Sequence, residues 1–312
     1  MKKKAVELSF AWIFSIVVGA VILFIAIYFA SQLIETSSYE TNTKTTKKLI
    51  GIFDSLQTTA EESKTEKVTF AIDTKIYPSC NNEGDFGESI IQISEKFGFK
   101  NKWSKPGGDI SAQDVYLFSE DIIEVNAHED VYFFTKQFEM PFKTADMVMM
   151  YSKPYCFVNA PREIRNDIEN LGQNVNLFAV TDIDSCSGES VSVCFDSNNC
   201  DVNVNTVAHT IEKNKETVYF IDETIYAAIF SSKGSYECGI KRIMMKLSQL
   251  SELYGRKAQF ITQRGCNTGL YGDMVLLQGR AKEFKDMREL EYIKTTAELI
   301  KNKNGELGCY LF

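Results

Sequence analysis

The sequence predicts an α+β fold class: a mixed α/β ectodomain with a βαβ-like unit, preceded by one N-terminal transmembrane helix. Three observations predict it. An uncharged, almost wholly apolar run occupies residues 8–34. Eight cysteines, Cys80, Cys156, Cys186, Cys194, Cys200, Cys238, Cys266 and Cys309, all follow that run and none lies within it. Past residue 67, short alternating stretches rich in aromatic and β-branched residues give way to longer ones with helical spacing.

The apolar run comes first. As a helix rising about 1.5 Å per residue it is long enough to cross a ~30 Å hydrocarbon core with some tilt. Trp12 and Tyr28 stand near its two ends, where amphipathic rings favour the interface. Lys2, Lys3 and Lys4 precede it and Glu35 and Glu40 follow it. The positive-inside bias therefore predicts a cytoplasmic segment over residues 1–7, a membrane helix over 8–34 and an exported remainder. Removal as a secretory signal is disfavoured. The run exceeds the usual apolar core of such signals, and its end carries no small-x-small cleavage site.

Residues 35–66 are rich in Thr, Ser, Lys and Glu, with one apolar stripe at Leu49, Ile52, Phe53 and Leu56. No proline appears before Pro78, so the helix can continue, weakened only by Gly51. This segment reads as a polar stalk, a solvated spacer ahead of a domain over 67–312.

In that domain "KVTFAID", "ESIIQIS", "DVYLFS" and "DVYFFTKQF" read as strands, with "NKWSKPGGDIS" as a loop by its Pro-Gly-Gly. A strand over 146–151, a helix starting at Asn159-Ala160-Pro161 and ending at Gly172, and a strand in "VNLFAV" form the βαβ-like unit. Ile164, Ile168 and Leu171 share one face of its helix. The longest helix beyond the membrane run is expected from Tyr236 to Gln263, with Ile240, Ile243, Met244, Leu247, Leu250 and Tyr254 recurring every three or four positions and Gly265 ending it. Further helices begin near Leu270 and run through Leu290, Ile293, Ala297 and Ile300.

An even cysteine count in an exported chain reads as a disulfide framework. Zinc would want CxxC pairs or Cys/His clusters. Here no two cysteines are closer than six residues, and neither His128 nor His209 lies beside one. Proximity favours closure among Cys186, Cys194 and Cys200, a bridge from Cys238 to Cys266, and a long-range tie from Cys309 that pins the tail.

The 312 residues carry a net charge of −8, which argues against a nucleic-acid partner. His128, in "NAHEDV", has no HxH or HExxH spacing and reads as a turn residue, as does His209. Asp182, Asp184, Asp196 and Asp201, with Glu189, crowd one cysteine-bearing region and form a weak calcium candidate. Against it, Cys186 stands where a third oxygen ligand is wanted. "SCSGES" lacks the G-x-S-x-G elbow, and "RGCNTGLYGD" lacks the phosphate-loop lysine and dinucleotide-fold spacing. The chain offers no catalytic residues and no cofactor, and N-x-S/T sequons are absent.

Lys2-Lys3-Lys4-Ala5, the apolar helix and Glu7 together resemble the class III signals of archaeal type IV pilins and related single-pass surface proteins. The likeness covers about the first 35 residues. It differs in carrying Ala5 where glycine is usual, with Glu7 close to the implied cut. The resemblance implies trimming ahead of the helix, partnership with the lipid bilayer, and self-assembly or association with other pilin-like subunits through that helix. Glu7 would then pair with a neighbour's free α-amino group; alternatively it sits at headgroup level with no role. The expected function is anchored binding or surface assembly, as a pilin-like subunit or an accessory of a filament or secretion apparatus. The alternatives are a monomeric anchored receptor or envelope factor and, further off, an anchored hydrolase.

Overall fold

The computed structural model describes residues 10–57, 63–97, 102–172, 175–306 and 309–312. Glu7 and the N-terminal lysines lie outside the described residues. The chain opens with α1 (Phe10–Gln57), 48 residues in one unbroken helix about 72 Å long. The expected boundary at residue 34 therefore does not interrupt the backbone. α1 has two different halves. Trp12–Leu33 is entirely exposed and, apart from Ser15, Ser31 and Gln32, apolar. Asn42, Thr46, Leu49, Phe53 and Leu56 are buried, at the three- and four-residue spacing that keeps one helical face turned inward.

The reading of 35–66 as a solvated spacer is thus corrected. The stripe Leu49, Phe53 and Leu56 is part of a hydrophobic core, with Ile52 half-buried beside it. Its far end already belongs to a strand, since β1 (Thr65–Thr69) begins before residue 67.

After β1 come β2 (Thr74–Asn81), β3 (Glu88–Phe97), β4 (Lys102–Trp103), β5 (Ile110–Ala112), β6 (Tyr116–Phe118), β7 (Ile123–Val125), β8 (Asp130–Glu139) and β9 (Lys143–Tyr151). They make two sheets. One has the order β4-β3-β2-β7 with β5 also on β3; the other runs β1-β8-β9-β6. The second is the middle layer of the molecule, and its side chains alternate between two cores. Leu117, Val131, Phe133, Val148 and Met150 face α1 and the β2–β3 sheet. Tyr116, Phe118, Phe134, Phe138, Met147 and Met149 face the larger core opposite. A strand buried on both faces reads as a nearly continuous apolar run, which is why "DVYFFTKQF" lacks clean alternation.

The larger core is closed by a third sheet and the remaining helices. β10 (Tyr155–Val158), α2 (Arg162–Asn170) and β11 (Leu177–Val180) form the βαβ unit, with β10 and β11 parallel. Its first strand is β10, not residues 146–151; those belong to β9 in the middle sheet, separated from β10 by the Ser152–Pro154 turn. β12 (Val191–Phe195), β13 (Val202–Asn205), β14 (Thr210–Lys213) and β15 (Glu216–Tyr219) extend this sheet in the order β11-β10-β12-β13-β14-β15.

Next comes α3 (Thr224–Phe230), whose seven side chains are all buried, as an all-round apolar helix must be. α4 (Lys233–Gln263) starts three residues earlier than its apolar spacing suggests, because Ser232 caps it by accepting from the Ser235 amide. Gly265, at φ +93°, follows its end as expected. α5 (Tyr271–Lys282) and α6 (Leu290–Glu306) complete the helical layer.

All eight cysteines are paired: Cys80–Cys238, Cys156–Cys186, Cys194–Cys200 and Cys266–Cys309. The small Cys194–Cys200 loop and the pinned tail at Cys309 match expectation. The Cys238–Cys266 bridge does not. Both residues lie at opposite ends of the 31-residue α4, whose rise holds them tens of ångströms apart. Cys238 instead crosses to β2, and Cys186 reaches β10.

Candidate functional site

Two features present themselves: the exposed half of α1, and a cleft at the amino ends of two interior strands of the third sheet. Over Trp12–Leu33 nothing in the body covers the helix. Trp12 and Tyr28 are both exposed, the first at the start of the span and the second about a turn from its end. Fifteen consecutive apolar or aromatic residues, Ile16–Ala30, lie bare between Ser15 and Ser31, a surface that is a severe liability in water. Ser31, the polar group near the end of the run, returns its hydroxyl to Tyr28 O (2.8 Å) and exposes no unpaired donor.

Where the run ends, docking begins. Asn42, fully buried, donates through Nδ2 to Ser104 Oγ (2.9 Å) and Lys105 O (3.0 Å). Thr43 Oγ1 accepts from the Gly108 amide (2.9 Å). A Cβ on Gly107 would stand 2.8 Å from Thr43 N and 2.9 Å from Asn42 Cβ, so the Pro-Gly-Gly loop lies flush on the helix only because Gly107 has no side chain. One turn later Thr45 Oγ1 donates to Glu95 Oε1 (3.3 Å). Burial pushes the Glu95 carboxyl up, opposed by that hydroxyl.

The cleft has a volume of about 750 Å³. It is lined by Glu120, Lys153, Tyr155, Glu189, Asp201 and Lys213 among others. It opens at the amino ends of β10 and β12, beside Tyr155 and Val191. Ligands of open parallel sheets gather at the opposite, carboxyl ends. Two of its charged residues, Lys213 and Asp201, help to hold the fold. Lys213 ion-pairs Glu120 and donates to Ile229 O (3.0 Å) and Ser231 O (3.3 Å). Asp201 Oδ2 accepts from both the amide and the hydroxyl of Ser192 (2.8 Å each). Burial pushes the Tyr155 hydroxyl far above the ordinary tyrosine range, so it stays neutral.

The aspartates of the weak calcium candidate are held separately. Asp182 Oδ1 accepts from the Asp184 amide (3.1 Å) within a short 3-10 turn. Asp196 accepts from the Thr206 amide and hydroxyl (each 2.8 Å at the nearer oxygen), and Asp201 from Ser192 as above. The carboxylates of Asp182, Asp196 and Asp201 thus brace local structure, while Asp184 is engaged through its amide. Among the described residues no three His, Cys, Asp or Glu side chains are grouped to hold a metal ion. Both histidines sit at turns with left-handed backbone, His128 at φ 68° and His209 at φ 51°. His128 is exposed, and its amide donates to Phe70 O (2.7 Å). With every cysteine oxidised, no thiol nucleophile exists.

Sequence reasoning missed one buried group: Arg242, 1 % exposed on α4. Its guanidinium donates to Phe86 O (3.2 Å), Ser89 Oγ (2.7 Å), Val115 O (2.9 Å) and Gln113 O (2.7 Å), and lies 4.9 Å from the Tyr116 ring centroid. The signal was an arginine at a core position of the α4 stripe, between Ile240 and Ile243. Its acceptors are neutral oxygens that stitch α4 to the β2–β3 sheet, a structural task. No protein family, curated protein or solved structure matches the chain.

Proposed function

We propose that this chain is a single-pass membrane protein, N-terminus cytoplasmic and body extracytoplasmic, which acts by binding or surface assembly as a pilin-like subunit or an accessory of a filament or secretion apparatus. One observation carries the reading: a single helix, Phe10–Gln57, is bare and apolar over its first half and built into the protein core over its second. Such a helix fixes the body rigidly to whatever its apolar half enters, whether lipid or a bundle of identical helices. The four disulfides support an oxidising compartment for the body, and Lys2–Lys4 support retention of the N-terminus inside.

Mass spectrometry of the N-terminus of protein from its native membrane tests the assembly branch. Loss of the first four or five residues is expected, and an intact Met1 or Lys2 rules out pilin-type processing. A monomeric anchored receptor is the second reading, favoured by the 750 Å³ cleft. Size analysis of native material separates the two, since a receptor remains a single anchored copy whereas a subunit is recovered in polymers.

A further inference from the structure

We propose that the cleft at the amino ends of β10 and β12 binds a primary ammonium group, which donates to the Tyr155 hydroxyl and is balanced by the carboxylates around it. The inference rests on the anchored-receptor reading, whose ligand chemistry it names. It starts from an unspent hydroxyl. Tyr155 is 3 % exposed, and its ring packs on those of Tyr151 and Phe230, at 5.5 and 4.3 Å between centroids. The neighbouring tyrosines have partners: the Tyr151 hydroxyl donates to Val175 O, and that of Tyr226 to Asp167 Oδ2 (2.7 Å). The Tyr155 hydroxyl makes no hydrogen bond among the described residues. The side-chain groups there that are fully enclosed without a partner are Asn42 Oδ1 and Ser119 Oγ. The Tyr155 hydroxyl is therefore not enclosed, and it opens into the cleft that the residue lines. A buried tyrosine hydroxyl ordinarily finds a partner, and here the one direction left for it is the cleft.

The charge of the cleft selects a cation. Glu120 is paired with Lys213 and Glu124 with Lys75. That leaves Asp121, Glu189 and Asp201 on the lining against one further lysine, Lys153. The adjoining recess beyond Lys213 adds one charge of each sign, Glu216 and Lys233. Burial, then Glu120 and Asp201, oppose ionisation of the Tyr155 hydroxyl, so its oxygen stays protonated in a negative field. A neutral phenol oxygen accepts from an ammonium, and the acidic lining attracts that group while repelling a carboxylate or phosphate. Strand direction agrees. The carboxyl ends of parallel strands suit anions because helix N-termini gather there, whereas the amino ends meet the carbonyls of helix C-termini. Ile229 O and Ser231 O, at the end of α3, already hold the ammonium of Lys213 on this wall.

Calorimetry of the full chain in detergent tests the site, with cadaverine as a free amine, Nα-acetyl-lysine methylamide as a lysine side chain, and glutarate as an anion of similar length. Saturable binding of either amine, weakened by added salt, together with no binding of glutarate, carries the proposal. The tighter of the two amines decides between a small molecule and a lysine presented by a protein. Y155F is expected to weaken amine binding about tenfold, the loss of one hydrogen bond to a charged group. D121N/E189Q is expected to weaken it about threefold, through lost countercharge alone. Because the hydroxyl has no partner within the protein, Y155F is expected to keep or raise the urea midpoint. A lowered midpoint would mean a structural partner for that hydroxyl and overturn the proposal. So would binding of neither amine, equal binding by the parent and Y155F, or preference for glutarate. Size analysis of the same samples is read separately: recovery in polymers refutes the receptor reading whatever the amines do, whereas a single anchored copy that ignores both amines refutes the ammonium site and leaves that reading standing.

Discussion

Cys238 and Arg242 stand one turn apart on α4 and grip the same β2–β3 hairpin, the first through the disulfide to Cys80 and the second through Phe86 O and Ser89 Oγ. A covalent bond and a four-acceptor guanidinium thus join the helical layer to the sheet that holds α1. Burial lowers the Arg242 pKa from its usual value and pushes the Tyr116 hydroxyl beside it up to about 12. The guanidinium nonetheless stays charged at any ordinary pH.

Replacing Arg242 with Met is expected to cost about 1–3 kcal/mol, because it removes four charge-assisted bonds, although Ser89 Oγ still donates to Val115 O. Urea unfolding of the full chain in detergent measures it. A loss under 1 kcal/mol would mean that the acceptors find water.

The Cys80–Cys238 bridge closes a loop of 158 residues and Cys194–Cys200 one of 6. If restriction of the unfolded chain dominates, C80S/C238S loses about 5 kcal/mol and C194S/C200S about 2. Thermal or urea unfolding of the two variants ranks them, and the reverse order would refute the entropic account.

Gly239, next to Cys238, packs on the buried Phe118 ring; an added Cβ would stand 2.5 and 2.7 Å from two ring carbons. G239A is expected to destabilise by about 1–3 kcal/mol through overpacking. Gly234, on the same helix with open space around it, takes alanine freely and gains several tenths of a kcal/mol. Denaturation midpoints of the pair check both signs.

Glu95 supplies a pH test. Burial raises its folded pKa above the unfolded value, so its ionisation opposes folding. The favourable contribution of the protonated group is fully present below the ordinary glutamate range and is lost as pH rises through the raised folded value. E95Q, which still accepts from Thr45, is therefore expected to be more stable than the parent at neutral pH and to converge with it in acid. A constant offset across the titration would show that the carboxyl does not titrate differently in the fold.

Much of this architecture was legible in the sequence, for reasons that differ by element. The strands at 65–69, 88–97, 116–118 and 130–139 announced themselves through β-branched and aromatic content. The α4 stripe and Gly265 did so through period and capping. Three things were hidden. The docking face of α1 begins with Asn42 and Thr46, polar residues that give no hydrophobic signal. α3 is too short and too uniformly apolar to show a period. Disulfide partners depend on topology, which placed β2 beside α4 despite their distance in sequence. In the acidic loops, composition alone could not show that Asp196 holds Thr206 and Asp201 holds Ser192.

The continuity of α1 has a mechanical consequence. Between Leu33 and Asn42 the backbone is helical throughout, with neither glycine nor proline to act as a joint. A sideways load on the body is therefore passed to whatever holds the apolar half as bending of a stiff rod, and any tilt of that rod swings the far end of the molecule with it. The body cannot wander like a weight on a string; it has a heading.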